Sequence, residues 1–372
     1  MAVISREEVG RDASGAPPLF VTAYSNSGEW MQALVENGKD APEWLRNAPQ
    51  VRIQTPGGRA WDGKLRTGNG ISFYDALIKR VGGRSRAWAS TVFDNASSVP
   101  EAVKSISKLE LWTTHTDDAS VSSGPLFVLN EPVPLDGEQS SVAVVRRLDK
   151  TVAYVPNADR FYIDILPSPL GSEAVPRAIV DTDLPGAFWG FMEHQVSAAG
   201  RVVAARLLGE IESGDLPELP AAWIAASAHA VLSFSEFLPV YGPRVLELLG
   251  SSRVPEPDAS LLVVLIELAS IAPGKKSSLM VDNILKAVAV LAKERVVYGE
   301  TLRWLDLRFD ALRQVARSSA SDPQVDDDLA SVADWLGKSY IGGQIATYAG
   351  EAPMVGKGWH DALAQKKTSL LS

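Results

Sequence analysis

"AIVDTDLPGAFWGFMEHQVSAAGRVVAARLLGEIESGD", residues 178 to 215, is where the chain changes character. On its N-terminal side, apolar residues come in short runs of Val, Ile, Phe, Tyr and Trp with Gly, Pro, Asn or Asp close by, which is how strands and their turns read. On its C-terminal side they come in long segments separated by Pro and Gly, with apolar positions three and four apart, which is how helices read. Strands and helices are therefore segregated rather than alternating, and a doubly wound parallel sheet does not fit. The expected class is α+β, with a strand-rich N-terminal half followed by an all-α C-terminal lobe. The corresponding boundaries are a strand-rich domain over 1–184, a helical domain over 185–350 and a Gly-rich tail over 351–372.

Working toward the N-terminus, "PLFVTAY" (18–24), "QVRIQ" (50–54), "RAWASTVF" (86–93), "KLELWTT" (108–114), "GPLFVLN" (124–130), "SVAVVRRL" (141–148) and "RFYIDIL" (160–166) are the expected strands. "SGEWMQALVENG" (27–38), "SFYDALIKRVGG" (72–83) and "PEAVKSISK" (100–108) are expected as helices. Toward the C-terminus, "PAAWIAASAHAVLSFSEFL" (220–238), "PRVLELLG" (243–250), "DASLLVVLIELASIA" (258–272) and "SSLMVDNILKAVAVLAKERVVYG" (277–299) continue the helical pattern. In "ETLRWLDLRFDALRQVARS" (300–318), Leu305, Phe309, Leu312 and Ala316 recur on one face as a core stripe. "SDPQVDDDLASVADWLG" (321–337) opens with Asp322 as cap and Pro323 in the first turn and closes at Gly337.

Composition narrows the chemistry. The chain has 372 residues, no cysteine and a net charge of −9, so disulfides, thiolate metal sites and a cysteine nucleophile are excluded. The acidic balance is shared by both halves, which disfavours duplex binding by bulk charge. The longest apolar run, "ASLLVVLIELASIA" (259–272), contains Glu267 and is too short to span a bilayer. No apolar signal core follows Met1, and the expected location is cytoplasmic and non-secreted.

Three stretches come close to a catalytic motif. "GRAWDGKL" (58–65) has the glycine and lysine spacing of a phosphate-cradling loop, but Leu65 stands where Ser or Thr should reach magnesium. "GNGISFYDAL" (68–77) resembles the nucleophile stretch of the ovarian-tumour family of deubiquitinases, in which Asp-Gly-x-Cys precedes an aromatic and a short apolar helix. Here Asn69 holds the acidic position and Ser72 the nucleophile position, so the resemblance implies a site without a thiolate. On its own residues, Ser72 reads as a helix cap with Asp75 in the first turn. Asp181-Thr182-Asp183 is similar to the metal-binding Asp-x-Asp of glycosyltransferases and, with Leu184 inserted, to the Asp-Thr-Asp-Pro-Gly of nucleoside hydrolases. Those hydrolases carry further acids where this chain has "AFWGF", and two carboxylates do not make a hard-cation site. None of His115, His194, His229 and His360 lies in zinc-ligand spacing, and His229 in "AASAHAVLSF" reads as a core residue. No catalytic set, metal or cofactor is expected.

Two segments are locally basic. Arg59, Lys64, Arg66, Lys79, Arg80, Arg84 and Arg86 are interleaved with Trp61, Phe73, Tyr74 and Trp88, and a second basic run covers 275–317. A groove lined by both would suit single-stranded nucleic acid. The opposing charges Asp306 and Asp310 beside Arg303, Arg313 and Arg317 argue that the second run is self-paired. The expected function is a non-catalytic assembly protein that self-associates, such as a coat, nucleocapsid or scaffold subunit. Ile345, Tyr348, Met354, Val355 and Trp359 near the C-terminus are the expected contacts to a neighbouring copy. The alternatives are a monomeric protein-binding adaptor module and an enzyme with an unrecognised site, for which the Asp181-Thr182-Asp183 turn is the candidate.

Overall fold

The computed structural model describes residues 16–65, 71–88, 108–113, 122–124, 141–146, 152–155, 161–167, 174–180, 183–213, 219–251, 254–270, 278–319, 322–342 and 344–348. A four-stranded antiparallel sheet lies in the N-terminal part and helices occupy residues 184–336, an α+β arrangement.

Strand β1 (Leu19–Tyr24) is the spine of the first sheet, whose order is β2-β1-β3-β4, with β2 at Trp30–Val35, β3 at Gln50–Gln54 and β4 at Ala60–Gly63. It is apolar on both faces because both are covered. Leu19, Val21 and Ala23 enter a core with Leu45, Tyr74 and Leu77, contributed by helices α1 (Glu43–Arg46) and α2 (Phe73–Arg80). Phe20 points the other way, into the helical core, where its ring meets Phe191 edge-on at 6.5 Å. In β3 only Val51 and Ile53 are buried, and its alternation is that of a one-sided strand.

Two expectations are corrected here. Residues 27–38 were expected to be helical, yet Trp30–Val35 is a strand paired residue for residue with β1, from Tyr24↔Trp30 to Leu19↔Val35. The turn before it decides this: Ser25 N donates to Glu29 O at 2.8 Å, Ser25 Oγ accepts from the Ser27 and Glu29 amides, and Gly28 adopts φ +86°. Six residues can be read with either period, and the waiting edge of β1 selects the extended one. Residues 86–93 were expected to form a strand, yet Arg84–Trp88 forms helix α3 after Gly82 (φ +96°) and Gly83 (φ +99°) turn the chain away from α2. Trp88 is thereby driven into the helical core, fully buried.

A second, six-stranded antiparallel sheet has the order β11-β12-β8-β7-β5-β6. Its members are β5 (Lys108–Thr113), β6 (Ser122–Gly124), β7 (Ser141–Arg146), β8 (Val152–Val155), β11 (Ser339–Gly342) and β12 (Ile345–Tyr348). Strands β9 (Phe161–Pro167) and β10 (Ala174–Val180) pair with each other in full register. The expected helix at 100–108, apart from Lys108 at the start of β5, and the expected strand at 124–130, apart from Gly124, lie outside the described residues, as do residues 89–93.

The helical part comprises α4 (Asp183–Glu193), α5 (Ser197–Ser213), α6 (Ala221–Ser233), α7 (Leu238–Ser251), α8 (Glu256–Ser270), α9 (Ser278–Lys293), α10 (Gly299–Ser319) and α11 (Pro323–Leu336). Gln195, at φ 58°, makes the corner between α4 and α5. The expected stripe of α10 is buried at Leu305, Phe309, Leu312 and Ala316, and the Asp322 carboxylate caps α11 by accepting from Gln324 N at 3.0 Å. Two apolar cores result, one among α4 to α8 with Phe20 and Trp88, the other among α8 to α11. The stretch 185–350, expected to be helical throughout, ends instead in strands β11 and β12. Short, Gly-flanked "SYIG" and "IATY" carry little strand signal alone, and β12 is held by pairing with β8 almost two hundred residues earlier in the chain.

Candidate functional site

The glycine-rich turn at 55–59 joins the two parts of the molecule. Gly58 N donates to Thr55 O, Gly57 N to Ala87 O, and Arg59 N to Thr55 Oγ1 at 3.1 Å. A phosphate cradle needs free amides, and these three are spent within the fold. The glycines serve close approach instead. A Cβ on Gly58 would sit 2.5 Å from the His194 ring, and one on Gly190 in α4 would sit 2.5 Å from Pro56 O. The turn is thus pressed onto the C-terminal end of α4.

Of the expected nucleic-acid residues, Lys64, Lys79, Arg80 and Arg84 are exposed, Arg59 and Arg86 are half-buried, and Arg66 lies outside the described residues. Trp61, a candidate stacking platform, has the Arg80 guanidinium 5.4 Å over its ring and lies against Gly63 on its own strand. Along α10, Arg303 pairs with Glu300, Arg313 with Asp310, and Arg317 with Asp326 of α11, so three of the four arginines on this helix are paired within the helical part. Helix α2 faces the sheet core while α10 packs on α8, α9, α11 and β12, which gives each basic run its own setting.

Ser72 is the cap of α2. Its Oγ accepts from Asp75 N at 3.0 Å and donates to Asp75 Oδ2 at 2.7 Å, which occupies the hydroxyl locally. Asp183 begins α4, while Asp181 and Thr182 lie outside the described residues. Among the described residues no group of three or more His, Asp or Glu side chains could hold a metal ion. Ile345 and Tyr348 begin and end β12, where their backbones pair with Gly342 and with Ser339 of β11. Met354, Val355 and Trp359 lie outside the described residues.

The densest polar arrangement is at the centre of the helical part. His229 on α6 is fully buried, and its Nδ1 accepts from Trp189 Nε1 at 2.9 Å, so the ring proton is on Nε2. Nε2 lies 2.9 Å from Thr301 Oγ1 and donates to it. The Thr301 hydroxyl in turn bonds Asp258, which also accepts from Val297 N at 2.8 Å and Tyr298 N at 3.2 Å. Burial pushes the Asp258 carboxyl up to about 7 against the pull of those donors. Burial, with the Arg303 charge adding to it, lowers His229 to about 3. The same segment is tied to β12, because Ala346 N donates to Val297 O and Gly299 N to Gln344 O, while Gln344 Nε2 reaches Gly186 O. This chain positions the start of α10. His229, Asp258 and Thr301 are all sealed from solvent. Apart from His229, its members carry no sequence signal: Asp258 reads as an ordinary first-turn acid, and its partners lie some forty residues away.

The open site is on the first sheet. Trp30 is 61% exposed and Met31 53%, adjacent residues of edge strand β2. The other large exposed apolar residues, such as Leu307 and Val240, stand apart from one another in sequence. Beside them runs a groove of about 780 Å³ between the β1–β2 turn and the end of α1, lined among others by Ala23, Glu29, Met31, Trp44 and Pro49. Among the described residues no strand pairs with the outer edge of β2. No protein-family model, curated protein sequence or solved structure matches the chain.

Proposed function

We propose that this chain is a non-catalytic assembly protein whose copies join through the N-terminal sheet. The observation that supports this is that Trp30 and Met31, on opposite faces of β2, are both exposed at a sheet edge that no strand pairs with among the described residues. Such an edge invites strand addition, and folds that stay monomeric blunt it with charge, proline or a covering element. Between Trp30 and Val35 this strand has no charge and no proline, and helix α5 touches it without pairing to its edge. The buried polar chain at Asp258 and His229 supports a structural rather than a catalytic role for the strongest ionisable cluster. No described helix is long and apolar enough to cross a membrane, and the assembly is proposed to form in the cytoplasm. The exposed Lys79, Arg80 and Arg84 favour contact with an anionic polymer, such as single-stranded nucleic acid, as a secondary property of the assembled surface.

Light scattering over a concentration series tests the reading. The wild type should form a discrete oligomer, and Trp30→Glu with Met31→Glu should yield a monomer of unchanged cooperative melting. A wild type that stays monomeric at the highest concentration would favour an adaptor that takes a segment of another protein on the same edge.

A further inference from the structure

The partner strand on β2 can be specified further, on the assumption that the copies do join there. Because Ser25 N donates to Glu29 O, Ser25 and Glu29 form a hydrogen-bonded pair closing the turn. Pairs of this kind recur every second residue, so Met31, Ala33 and Val35 bond to β1 while Trp30, Gln32 and Leu34 direct their N–H and C=O groups outward. Any added strand must bond to those three residues.

We infer that the added strand is β2 of a second copy, running antiparallel about a two-fold axis through Gln32. In that register Trp30 lies opposite Leu34 of the second copy, Gln32 opposite its own counterpart, and Met31 opposite Ala33. Outward groups meet outward groups and apolar side chains meet apolar ones, and each Gln32 amide, which donates one N–H to Thr22 Oγ1 at 3.2 Å, keeps a second N–H and its carbonyl oxygen for its counterpart. The charges agree with it. Glu29 falls opposite Val35 and Glu36 opposite Gly28, so neither carboxylate faces another. The register with its axis between Gln32 and Ala33 fails on both counts: it sets Glu29 against Glu36 and matches outward-bonding residues to inward-bonding ones. Shifting the axis to Ala33 puts Trp30 opposite Glu36, and shifting it to Met31 leaves Leu34 opposite Gly28 in the turn. An isologous contact of this kind closes on itself and fuses two four-stranded sheets into one of eight strands. It also carries the segment that follows Val35 of one copy toward the groove beside Met31 of the other.

The chain has no cysteine, so single-cysteine variants report without background. Residues opposite each other in a hydrogen-bonded antiparallel pair have Cα atoms about 5.5 Å apart, within disulfide reach. Gln32→Cys, oxidised with copper phenanthroline, should run almost entirely as a dimer on a non-reducing gel. Ala60→Cys, on the opposite edge strand β4, should remain monomeric there. If the wild type oligomerises in light scattering but Gln32→Cys does not cross-link, or Ala60→Cys does so instead, the two-fold β2 pairing is overturned while self-association stands. If the wild type is monomeric, both readings fall.

Discussion

The first sheet and the helical core treat their misfits in opposite ways. The sheet leaves apolar groups in water, Trp30 and Met31 at its edge, whereas the helical core takes polar groups out of water, Asp258, His229 and Thr301 among its helices. An exposed apolar pair costs little in the isolated chain and gains only when something covers it, so it carries information about partners. A buried polar chain is costly unless every member is satisfied, so it carries information about which packing is allowed. Here it aligns α4, α6, α8 and the start of α10, and through Val297 and Gly299 it also holds β12. One region leaves its misfits open to solvent, and the other meets nearly all of its own inside, the buried Tyr298 hydroxyl excepted.

The contrast is broken most strongly at Asp258. Asp258→Ala leaves the Val297 and Tyr298 amides and the Thr301 hydroxyl buried without their acceptor, and should lower unfolding stability by about 3 to 5 kcal/mol in urea denaturation. A loss below 1 kcal/mol would mean that the segment before α10 is held by β12 alone. Gly190→Ala attacks the joint between the two regions by setting a methyl 2.5 Å from Pro56 O. Since a backbone atom must yield, about 2 kcal/mol should be lost. A neutral result would show that the turn at 55–59 can lift off α4.

The pH dependence sharpens the picture of a sealed centre. Asp258 rises from an ordinary 3.8 to about 7 on folding, so its stabilising contribution fades as pH climbs through that interval. His229 falls from 6.5 to about 3, so its contribution is complete above 6.5 and fades as pH drops toward 3. Between 3.8 and 6.5 the folded chain holds the proton on Asp258 and the unfolded chain holds it on His229. The two slopes cancel, and these groups leave stability flat across that window. Asp258→Asn removes one slope and keeps one acceptor oxygen, so it gives up one of the two backbone hydrogen bonds and leaves His229 to titrate alone. Its stability should then climb with pH between 4 and 6 by up to about 1.4 kcal/mol per unit relative to wild type. Parallel curves for the two proteins, measured by chemical denaturation at each pH, would contradict the assigned protonation states.

The smallest expected effect is in the sheet region. Ser72→Ala removes the α2 cap and should cost about 1 kcal/mol. Because the hydroxyl is engaged with Asp75, the variant should leave self-association untouched in light scattering. A change in oligomer size would place α2 at the contact.

The sequence by itself determined what local signals can determine. The change of texture near residue 180 set the α+β order. The spacing of Leu305, Phe309, Leu312 and Ala316 set the buried face of α10, while Ser72 and Asp322 marked helix starts that their own neighbours' amides confirm. Each of these is settled within a turn or two of chain. Only the tertiary structure decided β2, α3, β11 and β12, because six or fewer residues fit either period and a distant partner chooses between them. The same reason hid the polar chain: Asp258 meets Val297 and Tyr298, and His229 meets Trp189 and Thr301, only once four helices have packed. It also hid the open edge, since Trp30 and Met31 look like core residues until the strand that carries them is found at the rim of its sheet.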